Sequence, residues 1–162
     1  MMQDDDKPGP RLATAIAVTS STNNAVLLGG WDPQTPGTGG VILEDVELLD
    51  LDKLKWSPAV VDFAAENNEL TIPGGPTSRH VAVTISDSTI CLHNHRCDDH
   101  VLLLSIDDDG EGQWQRQPVK GDVPPSLGLH CAATLESPDE KGCKGVVIFG
   151  GASKDGNMIN QA

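Results

Sequence analysis

What most constrains this chain is that one ordered set of short motifs returns along it. The first set runs from Arg11 to Thr19 as an apolar stretch, then Ala25 to Leu28 closing on Gly29-Gly30, then Asp45 to Asp50, and ends at Trp56. The second runs from Arg79-His80 to Ile85, then Thr89 to Asn94, then Asp99 to Ser105, and ends at Trp114. The third begins at Leu129-His130, reaches Gly150-Gly151 and breaks off at Asn157 to Asn160. Equivalent landmarks recur every roughly 50–60 residues, the range of repeat architectures. One such unit cannot hide its apolar faces alone, so neighbouring units must stack to build a continuous core.

Each repeat holds four apolar or alternating runs, β-branched or Leu-rich and bounded by Gly, Pro, Asn or Asp. That pattern reads as four antiparallel strands. Residues 44–54 could pass for a helix, but Val46, Leu48 and Leu49 do not sustain a 3.6-residue stripe, and the matching stretch of repeat two contains Val101-Leu102-Leu103-Leu104. The chain is therefore expected to be all-β. Residues 1–10 form an acidic tail. Residues 11–162 form the repeat region, with units at about 11–61, 76–119 and 125–162, the last truncated. Three intervening stretches, 32–40, 62–76 and 136–144, are rich in Pro, Gly and charge and are expected as surface loops.

These motifs resemble the Kelch-repeat β-propeller family, the propeller type that Kelch-like proteins share with galactose oxidase. Repeat one carries Pro10-Arg11, Gly29-Gly30, Asp45-Val46, Leu49-Asp50 and Trp56. Repeat two carries Pro76, Arg79-His80, Val101, Leu104 and Trp114, with His93-Asn94 where the resemblance calls for Gly-Gly. Repeat three carries Pro124-Pro125, His130 and Gly150-Gly151. The resemblance implies about three four-stranded antiparallel blades, incomplete and not closed in this chain, with the rest of the propeller supplied by a longer chain. It also implies a non-catalytic protein-interaction module that binds a protein partner through blade-end loops. In this reading Gly29, Gly30, Asp50, Trp56, Arg79, His80, Trp114, His130, Gly150 and Gly151 are structural. The Gly pairs make tight turns, Asp50 bonds its own turn, and the Trp residues fill space between blades.

Charge narrows the partners. The chain has 24 acidic against 11 basic residues, and no two basic residues are adjacent. Phosphate binding needs clustered Lys and Arg, so nucleic acid and anionic membrane surfaces are not expected. The amino terminus shows no apolar stretch behind a basic start, and no apolar run nears the roughly 20 residues that span a bilayer. A cytoplasmic or nuclear protein, not a secreted one, is expected, with Cys91, Cys97, Cys131 and Cys143 as reduced thiols.

Two candidate sites follow. Loops after the second strand of each repeat should gather at one end of the blades, which marks Trp31, Asp32, His93, His95, Arg96 and Lys154 for partner binding, with Trp31 expected exposed. The run Cys91 to His100 offers the alternative of a metal-binding or metal-dependent propeller enzyme using His93, His95, Cys97 and His100. Against it, residues spaced by two along one strand cannot wrap a tetrahedral ion. No resident metal or cofactor and no catalytic residue is expected. The copper radical chemistry of the galactose oxidase relatives needs Tyr, and this chain has none.

Overall fold

A computed structural model describes residues 7–34, 37, 39–63, 72–121, 125–136 and 144–160. The described chain is all-β and its sheets are largely antiparallel. Strands β1 (Ala15–Thr19), β2 (Asn24–Asp32), β3 (Val41–Asp50) and β4 (Lys55–Pro58) form a four-stranded meander in that order. Next come β5 (Val60–Phe63), β6 (Val81–Thr84), β7 (Thr89–His93), β8 (His100–Ile106) and β9 (Glu111–Pro118). These make a five-stranded sheet in the order β5-β9-β8-β7-β6. The last described strands are β10 (Leu127–Gly128), β11 (Cys131–Glu136), β12 (Lys144–Phe149) and β13 (Ala152–Ser153), paired as β11–β12 and β10–β13.

The stretch 62–76, expected as a surface loop, is partly built into the fold. Val60 to Phe63 join the second sheet in parallel with β9, Phe63 lying opposite Trp114. Val61 is buried, and a side chain at Gly112 would sit 2.6 Å from its Cγ1, so Gly112 lets β5 close against the sheet. Ile72 is likewise fully buried in the core. The insertion 137–143 lies outside the described residues.

Registers show how far the units repeat. Ala15 pairs with Leu28, Val81 with His93 and Cys131 with Phe149, so Leu28, His93 and Phe149 hold one position in three units. Leu49 pairs with Trp56 and Leu104 with Trp114, so the two Trp residues also correspond. This register puts Asn94-His95, not His93-Asn94, opposite Gly29-Gly30 and Gly150-Gly151. It also aligns Arg79 with Ala13 rather than with Arg11.

Ala13, Arg79 and Leu129 share a left-handed backbone, with φ of 51°, 59° and 61°. The Arg79 amide donates to the Ala13 carbonyl and the Leu129 amide to the Arg79 carbonyl, each at 2.9 Å. A main-chain ladder thus ties each unit's start to that of the next. Arg11 does other work: its guanidinium grips both Asp45 oxygens at 2.7 and 2.9 Å and reaches the Gly29 carbonyl at 3.1 Å.

The core lies between the two large sheets. Ala17, Val26, Leu28, Val46 and Leu48 of the first pack against Ile90, Leu92, Leu102, Leu104, Ile106 and Trp114 of the second. Gly29 is needed where the sheets meet: its φ is +46°, and a Cβ there would lie 2.7 Å from the Thr77 carbonyl. In the second sheet Asn94 stands at the equivalent place without positive φ. Its amide nitrogen donates to the Thr77 hydroxyl, and its side-chain oxygen accepts from the Arg96 amide, so a polar clamp replaces the glycine turn. Asp50 accepts from the Asp52 and Lys53 amides and caps the β3–β4 turn, and Asp107 does the same for the turn to Glu111.

Candidate functional site

The turns after β2, β7 and β13 lie at one end of the strands and line a cleft of about 570 Å³. Trp31 enters from the end of β2, His95 from the turn after β7, and Lys154 from the turn after β13. Arg79 and Leu129 line the floor through the left-handed ladder, with Ser78 beside them. Main-chain pairing therefore fixes the floor, and side chains from three successive units supply the walls.

Trp31 is half-buried, not exposed as expected. Its backbone pairs with Leu12 in both directions at 2.8 Å, and the loop residue Gly40 packs so closely on the indole that a Cβ there would collide with it. Trp31 also lines the cleft. Asp32 caps its own turn, accepting from the Gln34 amide at 2.7 Å.

The cleft is locally cationic in a chain of net charge −13. The Arg79 side chain has no hydrogen bond or ion pair to any described residue. Lys154 is held 3.0 Å from Asp98, which also accepts from Ser126; these two donors hold the Asp98 carboxyl below its usual range. Burial, then the charges of Arg96 and Lys154, push His95 below the ordinary histidine value, so at neutral pH it is an uncharged imidazole. Arg96 is committed elsewhere, its guanidinium donating to the Gly75 and Pro76 carbonyls at 3.2 and 2.8 Å. A second cleft at the opposite end of the strands is lined by Asp62, Asp107, Asp108 and Glu111 and is acidic instead.

The residues of the alternative metal set separate. The strand β7 ends at His93, so His95 and Cys97 do not continue its face. His93 points into the junction with the third unit, where its Nδ1 lies 3.0 Å from His130 Nε2 with the rings edge to face. Burial, then His130 and His100, lower His93 to about 4, and burial also lowers His130. Cys97 is buried against the Asn94 side-chain oxygen, and His100 Nδ1 meets Asp99 at 2.9 Å. Burial raises both Cys91 and Cys97, Cys91 to about 12, which keeps these thiols protonated. Among the described residues no group of three His, Cys, Asp or Glu side chains is arranged to hold a metal ion. No described helix is long and apolar enough to cross a membrane.

Two features escaped the sequence. Arg79 was read as structural, yet it is the unpaired cation of the cleft; only its register with Ala13 and Leu129 reveals that its side chain is spare. His93, expected in a partner-binding loop, is instead buried at the end of β7 opposite Val81. The chain matches no protein-family model, and no curated protein matches it at a significant level.

Proposed function

We propose that this chain is a non-catalytic protein-interaction module of the Kelch type, part of a β-propeller, and that the cleft between Trp31, Arg79, His95 and Lys154 receives its partner. The supporting observation is convergence: the same turn from three successive units, with the main-chain ladder beneath, surrounds one concave site. Its chemistry suits a protein segment that presents a carboxylate and an apolar side chain together. Arg79 offers an uncommitted fork of donors for the carboxylate. Trp31 offers a flat apolar wall, the kind of side chain on which binding energy concentrates.

The test is affinity capture with the intact chain, quantified for each recovered partner. Trp31→Ala and Arg79→Ala should each lower retention at least about tenfold, a factor typical of anchor residues. The control Arg116→Ala, an exposed residue of β9 outside the cleft, should leave retention unchanged. A double variant at Trp31 and Arg79 that still holds every partner overturns the cleft as the docking site.

A further inference from the structure

The cleft holds more hydrogen-bonding capacity than a carboxylate can use. A carboxylate has two oxygens, and one arginine fork satisfies both. Arg79 is that fork. Beside it the Ser78 and Ser153 hydroxyls and the His95 imidazole line the same cleft, and among the described residues none of the three makes a hydrogen bond. Lys154 adds an ammonium with three donors, only partly taken by Asp98 at 3.0 and 3.3 Å. The second and third units supply these polar groups, while the first supplies an apolar wall of Trp31 and Ile42. No described Asp or Glu lines the cleft, although 24 of the 162 residues are acidic. Asp98, behind Lys154, also accepts from Ser126 and so is already engaged.

We infer that the cleft receives a phosphorylated side chain of the partner segment, so that phosphorylation of the partner tightens binding and an unmodified Asp or Glu is the weaker mimic. The inference rests on the cleft reading above and specifies its anionic group. A phosphomonoester carries about −1.5 to −2 charge at pH 7 and three strong acceptor oxygens. The Arg79 fork engages two of them, which leaves the Ser78 and Ser153 hydroxyls and the Lys154 ammonium as donors for the third. His95 has a ring N–H to give as well. Trp31 and Ile42 then receive an apolar neighbour of the phosphorylated residue. Nucleic acid does not fit the same chemistry. A row of phosphodiesters needs a row of cations, and Arg79 and Lys154, in a chain of net charge −13, serve one isolated phosphate.

Retention of the intact chain on immobilised degenerate peptides reads the outcome. One set is centred on phosphoserine, phosphothreonine and phosphotyrosine, a second on glutamate, and a third on the unmodified hydroxyl residues, all with apolar-rich random flanks. The phosphorylated set should hold the chain at least about tenfold more tightly than the glutamate set, the scale of one charge-assisted hydrogen bond. Ser78→Ala and Ser153→Ala combined should bring the phosphorylated set down to the glutamate level and leave the glutamate set unchanged; a merely structural role would lower both. Arg79→Ala should lower both. The two hydroxyls bond nothing among the described residues, so circular dichroism should show the double serine variant folded. Equal retention of the phosphorylated and glutamate sets, or a double serine variant that keeps the preference, overturns the inference. Free O-phosphoserine that displaces the chain as readily as a phosphopeptide does would make the occupant a small phosphate, and overturns it too. If the two anionic sets are held equally and both are lost on Trp31→Ala, the phosphate fails and the cleft stands; if neither set is held and partner capture survives the variant altered at both Trp31 and Arg79, both readings fail.

Discussion

Trp56 and Trp114 occupy the same register in the first and second sheets, yet Trp114 is sealed in the core while Trp56 is half-buried. Both sit opposite a leucine near the end of a similar strand. The difference comes from outside the repeat. Trp114 lies between the first sheet and its own, with β5 laid alongside, while the face of Trp56 has no sheet stacked on it among the described residues. The lesson is that the repeat sets where a side chain points, and the neighbouring unit sets how much that is worth. Trp114 even carries a cost, since its indole N–H is buried without an acceptor among the described residues.

Three experiments break or sharpen this comparison. Trp114→Ala should destabilise the chain by about 3–5 kcal/mol, the range for truncating a buried aromatic, and Trp56→Ala by well under half of that. Chemical denaturation of both variants checks it; equal losses would mean that the two sheets are not distinguished by stacking. Acid should weaken the buried junctions next. His80 and His93 each sit near 4 when folded, chiefly through burial, against an unfolded value near 6.5. Their neutral forms therefore favour the fold above pH 6.5. That stability is lost as pH falls toward 4, by about 3 kcal/mol for either residue, because the unfolded chain takes up protons that the folded one refuses. Melting temperature followed from pH 7 to pH 4 should fall, and His93→Leu, which copies the first unit's Leu28, should flatten the fall. Smallest is Gly29→Ala, expected to cost about 1–3 kcal/mol through positive φ and the clash with the Thr77 carbonyl. Gly37→Ala, with open space around it, should cost less, through its backbone conformation alone.

Much of the strand order was legible because alternation and turn chemistry are local. Asp50 announces its turn by composition and makes the expected backbone bonds. The residues that escaped depend on distant partners. Nothing near Val60 to Phe63 says that they will pair in parallel with β9, because that choice belongs to the strand that accepts them. The slip in repeat two has a similar cause. Asn94 reaches the glycine position by bonding Thr77 and Arg96, so the reader expecting Gly-Gly lands one residue early on His93. The site was half legible: Trp31, His95 and Lys154 came from counting strands, but Arg79 needed the ladder.

The ladder through Ala13, Arg79 and Leu129 has one more consequence. The joint is made by amides and carbonyls alone, so it places no demand on residue type beyond tolerance of the left-handed backbone. A methyl group, a guanidinium and an isobutyl group already serve at the three places. The floor of the cleft can therefore be repainted, one residue at a time, while the masonry beneath it stays as it is. New binding preferences would arise there at smaller risk to folding than anywhere among the packed sheets.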